Sequence, residues 1–225
     1  MNTDRRIGRL HVLTDTQIQQ RHTHLELALL AAAGGADVVQ LREKRDWTTA
    51  EWIQTARALQ HGLADQRCRL VVDDRADVAF AAGAAGVHLG RADLPPDVAR
   101  RLLGPDMLIG GTANSLEEAL TVAQAPIDYL GVGPIYGTRT KANPAPDMGL
   151  ETLAAIVAAV DRPVIAIGSI TAERIGEVME TGAWGIALLS AVVCDPDPEA
   201  ATAHCRSALD DALEARKSKG GHGGR

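Results

Sequence analysis

The feature that most constrains the fold of this chain is a repeated change of period in its apolar residues. Short β-rich runs alternate with longer, alanine-rich stretches of helical spacing, eight times over 225 residues. The predicted strands are Leu10–Thr14, Val38–Arg42, Leu70–Asp73, Gly86–Leu89, Leu108–Gly111, Tyr129–Gly133, Val164–Ile167 and Gly185–Leu189. Helical patterns follow them at 22–33, 48–64, 75–83, 96–103, 115–123, 149–160, 171–181 and 199–216. The strands are apolar on both faces, which suits a parallel sheet covered on both sides. Eight strand–helix units of about 28 residues predict an α/β chain closed into a single-domain (β/α)8 TIM barrel. A doubly wound open sheet is the alternative, but no G-x-G-x-x-G follows the first strand.

Local signals agree with the period. Thr48-x-x-Glu51 and Ser115-x-x-Glu118 match the capping box, in which hydroxyl and carboxylate satisfy each other's orphan backbone donors. Thr171 stands where an N-cap is wanted, and Pro95 and Pro96 open the fourth helix. Gly34-Gly35-Ala36-Asp37, Gly83-Ala84-Ala85-Gly86 and Gly182-Ala183-Trp184-Gly185 each read as a helix C-cap feeding a strand. The expected organisation is a mobile segment 1–8, a barrel 9–216 and a flexible tail 217–225, to which His222 belongs.

Composition narrows the partners. The net charge is −6 and the aromatics are Trp47, Trp52, Phe80, Tyr129, Tyr136 and Trp184, so neither a basic face nor stacking platforms for nucleic acid are advertised. An anionic ligand therefore requires cations gathered at one site against the overall balance. No apolar run approaches the roughly 18 residues of a membrane span, and residues 1–15 lack a secretory pattern. Cys68, Cys194 and Cys205 form no C-x-x-C pair, which argues against disulfides or structural zinc and fits a reducing cytoplasm.

In a barrel of this kind the chemistry sits at the C-terminal ends of the strands. The second strand ends in Gln40-Leu41-Arg42-Glu43-Lys44, the third in Asp73-Asp74-Arg75, and the fourth runs through His88 to Arg91 and Asp93. The fifth ends in Gly110-Gly111-Thr112-Ala113-Asn114, and the sixth leads through Gly133-Pro134 to Thr138-Arg139-Thr140-Lys141. Gly168-Ser169 ends the seventh and Leu189-Ser190 the eighth. Carboxylates, cations, hydroxyls and glycine amides thus meet on one rim, as a magnesium-bound, phosphate-rich substrate requires. Magnesium takes few carboxylates beside waters and substrate oxygens, which makes Asp74 and Asp93 the natural pair. Arg42, Lys44 and Lys141 can neutralise a pyrophosphate. Backbone amides near Gly168, Leu189 and Ser190 suit a second phosphate, with Thr138 and Thr140 completing the cradle. The length and Gly, Pro and Asn content of loop 134–148 suggest a lid.

Each of these residues also has an ordinary reading. Asp93 before Leu-Pro-Pro suits an N-cap, and Asp74 suits an ion pair with Arg75 or Arg42. The 42–44 charges suit a solvated cluster, Lys141 a surface position and Thr112 a backbone bond. Asn114 competes with Ser115 for a helix cap. His88 reads as a packed barrel-layer residue rather than a base. His22 and His24, two apart at a helix start, read as exposed, and His204 and Cys205 lie far from the rim. Convergence, rather than any one residue, favours a site.

With these residues in view, the chain resembles the thiamine-phosphate synthase family from about Leu10 to about Val193. The resemblance is carried by Q-L-R-E-K (40–44), D-D-R (73–75), G-V-H-L-G-R-A-D-L (86–94), I-G-G-T-A-N-S (109–115), G-V-G-P-I-Y-G-T-R-T-K (131–141), A-I-G-S-I (166–170) and Leu188-Leu189-Ser190-Ala191. It implies transfer of a hydroxymethylpyrimidine group from its pyrophosphate to thiazole phosphate, with Mg2+ as cofactor. On this likeness Gln40, Arg42 and Lys44, aided by Lys141, hold the pyrimidine pyrophosphate, and Asp74 and Asp93 bind magnesium. Asp73 and Thr112 lie against the pyrimidine, while Thr138, Thr140, Gly168, Leu189 and Ser190 surround the thiazole phosphate. Leu41, Glu43 and Arg139 join the substrate-binding set from within the same motifs, and Arg42, Lys44, Thr112 and Lys141 form the catalytic set. The chain departs from the family's usual Asn at Asp73, Ser at Thr112, His at Asn114, Gln at Arg91, Pro at Gly137 and Gly at Ser169. Two rivals share the barrel: a thiazole tautomerase-like isomerase, which needs no pyrophosphate clamp, and a non-catalytic module that binds a thiamine-related phosphate. Oligomeric state, a homo-oligomer included, is left open.

Overall fold

The structure is a computed structural model and describes residues 7–137 and 147–220. Eight strands, β1 (Leu10–Thr14), β2 (Val38–Leu41), β3 (Arg69–Asp73), β4 (Gly86–Leu89), β5 (Leu108–Ala113), β6 (Tyr129–Val132), β7 (Val164–Ile167) and β8 (Gly185–Leu188), pair in sequence order. All pairs are parallel, and β8 returns to β1 to close the barrel. The surrounding helices are α1 (His24–Ala33), α2 (Thr49–Gly62), α3 (Ala76–Ala82), α4 (Pro96–Leu103), α5 (Leu116–Ala123), α6 (Gly149–Ala159), α7 (Ile175–Glu180), α8 (Ser190–Val193) and α9 (Pro198–Gly220). A 3-10 turn, Ala172–Arg174, precedes α7. The barrel read from the alternating periods is therefore the observed fold.

Alternation along each strand divides the core in two. One set of residues, among them Val39, Leu41, Val72, Val87 and Leu130, packs outward against helix residues such as Ala28, Trp52, Leu59 and Ile156. The other set faces the barrel axis, where Leu13, Leu108, Tyr129, Ile165 and Ala187 form a smaller apolar cluster. Buried His11 and Gln40 share that interior, with Gln40 Nε2 at 2.9 Å from His11 Nδ1. Gly110 and Gly131 explain how large rings fit there. A Cβ at Gly110 would collide with the Tyr129 ring and His88, and one at Gly131 would lie 2.7 Å from His88 Cε1.

Several local expectations are refined. The Thr48 capping box is complete, and Thr23 with Glu26 forms a second one that the sequence reading passed over. Ser115 caps α5, but Glu118 sends its carboxylate to the Asn114 N–H, so that box is half formed. Thr171 does not cap with its side chain, and its hydroxyl donates to Glu173 at 2.6 Å. Gly83 ends α3 at φ +66°, in the left-handed region that glycine reaches without strain. The N-terminal boundary moves. Ile7 is buried in the barrel cluster and the Gly8 carbonyl accepts from Trp184 Nε1 at 2.7 Å, so residues 7 and 8 belong to the fold. The last helix runs past 216 to Gly220, and the four-residue α8, absent from the sequence reading, turns the chain out of β8. Among the described residues no helix is long and apolar enough to cross a membrane.

Candidate active site

The C-terminal ends of β2, β3 and β4 bring the expected charges together. Arg42, just beyond β2, forms a buried ion pair with Asp15, just beyond β1. Asp15 also accepts from the backbone N–H of Gln17 at 2.7 Å, so one carboxylate shapes the turn and holds the guanidinium. Lys44 forms an ion pair with Asp74. Asp74 has φ +66°, a left-handed conformation that Asp tolerates better than most residues, and its N–H donates to the His88 carbonyl at 2.8 Å. Asp93 accepts from the Gly90 N–H at 2.6 Å and meets Asp74 carboxyl to carboxyl. Burial first, and the charge of Asp74 second, push the Asp93 carboxyl above its ordinary range.

Asp73 lies beneath this cluster. It is buried, and its Oδ1 has no hydrogen-bond partner. Burial, then the charge of Asp74, push its carboxyl well above the ordinary carboxylate range, against the pull of Lys44 and Arg42. A carboxyl that keeps its proton offers one donor and one acceptor, the same pair as the amide usual at this position in the resembling family. Among the described residues no group of three or more His, Cys, Asp or Glu is arranged to hold a metal ion, so the oxygen donors on offer are the facing carboxyls of Asp74 and Asp93, and the orphaned Asp73 oxygen marks a place where a partner is wanted. These residues fit a magnesium ion that keeps waters and substrate oxygens in its shell.

The floor beside them is a hydrogen-bonded column. The Tyr129 hydroxyl donates to His88 Nδ1 at 3.2 Å, His88 Nε2–H donates to Thr112 Oγ1 at 3.0 Å, and that hydroxyl donates to the Leu89 carbonyl at 3.1 Å. His88 is thus the barrel-layer residue its place in β4 suggested. Burial, with Asp73 nearby, keeps Tyr129 protonated by raising its pKa.

Across the mouth lies a cavity of about 1080 Å³ lined by Arg42, Thr112, Gly168, Leu189 and Ser190 among others. Its far wall is the turn after β7. Gly168 has φ +114°, and a Cβ there would lie 2.5 Å from Pro134 Cα. Ser169 also lies in the left-handed region, at φ +46°, which accounts for the glycine usual there in the resembling family. Its hydroxyl donates to the Gly137 carbonyl at 3.0 Å, tying this turn to the start of the long loop.

Of the expected residues, Gln40, Leu41, Glu43, Lys44, Asp73, Asp74 and Asp93 are not part of the lining of this cavity. Leu41 is wholly buried in the layer between barrel and helices. The Glu43 carboxylate is committed to its own loop, and Gln40 reaches down to His11. Asp93 is not an N-cap, since Pro95 holds that position for α4. Asp74 pairs with neither Arg75 nor Arg42, which have Asp77 and Asp15 as partners. Thr138, Arg139, Thr140 and Lys141 lie outside the described residues. His24, expected at the surface, is buried between Thr14 and Glu43. Asp15 was missed although it follows the first strand directly, the one strand end left unread.

Comparison with known proteins identifies the family. A family model described as thiamine monophosphate synthase matches residues 10–192. The thiamine-phosphate synthase of Salinibacter ruber is 46% identical, covering 96% of this chain and 94% of its own length. That of Methanoculleus marisnigri is 44% identical, covering 94% and 98%. The solved thiamine phosphate pyrophosphorylase from Pyrococcus furiosus superimposes with a TM-score of 0.85 at 36% identity, over 94% of this chain and 100% of that one. Likeness of this depth along nearly the whole barrel means that the chain belongs to the thiamine monophosphate synthase family, as a transferase of thiamine biosynthesis.

Proposed function

We propose that the reaction is transfer of a hydroxymethylpyrimidine group from its pyrophosphate to the nitrogen of thiazole phosphate, giving thiamine phosphate and pyrophosphate. The observation that carries this reading is the meeting of Arg42, Lys44, Asp74 and Asp93 around the orphaned carboxyl of Asp73. The methylene C–O bond breaks with its electron pair leaving on pyrophosphate, and the thiazole nitrogen lone pair forms the new C–N bond. The chain supplies position and charge, so no activated Ser or Cys nucleophile is needed.

Asp74 and Asp93 would hold Mg2+, which when bound neutralises diphosphate oxygens that the departing group carries away. Lys44 exchanges its pairing with Asp74 for the diphosphate, and Arg42 approaches from its seat on Asp15. A cation roughly 4 Å from an oxyanion contributes about 4 kcal/mol at an effective dielectric of about 20, before desolvation is subtracted. Asp73 and Thr112 orient the pyrimidine ring over the His88 column. The Gly168 turn and the start of α8 present amides to the thiazole phosphate, with Thr138 and Thr140 added from the long loop, while Lys141 of that loop joins Arg42 and Lys44 on the pyrimidine pyrophosphate. Three cysteines without disulfide partners support a reducing, cytoplasmic setting.

The test is pyrophosphate release with both half-substrates present. Turnover should require both substrates and magnesium, vanish with excess EDTA and return when magnesium is restored. Asp93→Asn should lower kcat/KM on the order of 100-fold while the melting temperature stays near that of the parent. Full turnover in EDTA would exclude the magnesium reading, and no release with both substrates and magnesium would exclude the reaction.

A further inference from the structure

Two cations of the proposed diphosphate clamp, Arg42 and Lys44, belong to the loop between β2 and α2, and Glu43 between them fixes that loop. Its side chain is only 1% exposed. One carboxylate oxygen accepts from the backbone N–H of Lys44 at 2.8 Å and of Arg45 at 2.7 Å. The other accepts from Arg45 Nε at 2.9 Å. The chain therefore wraps around its own buried carboxylate. Burial alone would push this carboxyl up, but the bonds from Arg45 and His24 overcome it and bring the pKa down to about 2.

The inner partner of Glu43 comes from another element. His24, in the first turn of α1, places Nε2 at 3.2 Å from Glu43 Oε2 and Nδ1 at 2.7 Å from the Thr14 hydroxyl at the end of β1. Its ring packs edge-on against Trp47 at 5.6 Å. The Glu43 carboxylate can only accept, so Nε2–H donates to it, and in the neutral imidazole Nδ1 accepts from the Thr14 hydroxyl. Burial, opposed by Glu43, holds the His24 pKa below its ordinary value, which keeps that neutral form at pH 7. His24 is buried, and the cavity it borders is a second one of about 880 Å³ beside Arg45 and Trp47, apart from the one beside Gly168.

We propose that His24 is a positioning residue for the diphosphate clamp: it seats Glu43, Glu43 fixes the 42–45 loop, and the loop aims Arg42 and Lys44. This rests on the diphosphate chemistry proposed above and adds to it a residue outside the cavity. The role is distinct from packing. A residue that only packs would change the melting temperature and leave the kinetic constants of the folded enzyme alone.

The experiment compares His24→Leu and His24→Gln with the parent by thermal melting, by KM for each substrate, and by calorimetric binding of inorganic pyrophosphate with magnesium. In His24→Leu, KM for the pyrimidine pyrophosphate and Kd for inorganic pyrophosphate should rise on the order of tenfold, with KM for thiazole phosphate moving less than about twofold. His24→Gln, whose amide N–H can replace Nε2–H, should recover most of the loss. Unchanged pyrophosphate affinity in folded His24→Leu, or a parallel rise of both KM values, would overturn the proposal. Should His24→Leu fail to fold, Glu43→Gln decides: the same selective defect supports the chain of contacts, and parental constants refute it. A parent that binds pyrophosphate but forms no product would end the synthase reading, while the calorimetric comparison still decides the role of His24.

Discussion

At residues 110 and 131 a side chain is absent because the space is already taken. The rings of His88 and Tyr129 are stacked with centroids 5.5 Å apart and fill the volume that two Cβ atoms would need. Gly110→Ala should therefore lower stability by about 1–3 kcal/mol through overpacking, measured as a shift of the urea midpoint. An unchanged midpoint would mean that the rings can move aside. Other single residues carry conformational cost openly. Asp74 and Ser169 have positive φ without being glycine, and both stand at turns of the proposed site.

Among the elements, β1 carries a titratable group into the barrel axis. Nε2–H of His11 donates to the Ile7 carbonyl at 2.8 Å, and its Nδ1 accepts from Gln40. The Tyr129 ring packs against it at 5.6 Å, and Asp37 is the nearest charge that favours protonation. Burial lowers its pKa from 6.5 to about 4. Between those values an unfolded chain takes up a proton that the folded chain refuses, so stability falls as pH drops through that window and levels below it. The loss is at most about 3 kcal/mol. His11→Gln should show a shallower decline of melting temperature from pH 6.5 to pH 4 than the parent, and equal slopes would contradict the assignment.

How much of this was legible follows from what each element depends on. Strand and helix positions were readable because alternation and capping are encoded within a few residues. The end of β2 was misplaced by one position, since whether Arg42 pairs in the sheet depends on its neighbours. The clustering of Lys44, Asp74 and Asp93 was readable because parallel strands deliver their ends to one rim. His24 was misread because a helix start on its own suggests exposure. Its burial depends on how the first turn of α1 sits against Trp47 and the 42–45 loop. The role of Glu43 was hidden for the same reason: nothing in a sequence run of charges says which one turns inward.

The molecule as a whole places a thiamine-biosynthetic transferase on a closed barrel whose rim, on the proposed reaction, receives anions despite a net charge of −6. Arg42, Lys44, Arg45, Arg75 and Arg91 each carry an acidic partner of their own. Among the described residues these pairs reduce the field that the five cations send into solvent, so on the proposed reaction substrate capture depends on exchange of partners at contact more than on long-range steering. Raising ionic strength from about 20 mM to about 200 mM should then alter kcat/KM by less than about threefold, where a steered encounter would slow by tenfold or more. On the proposed reaction, the enzyme would collect a diphosphate substrate at a pace nearly indifferent to the salt around it.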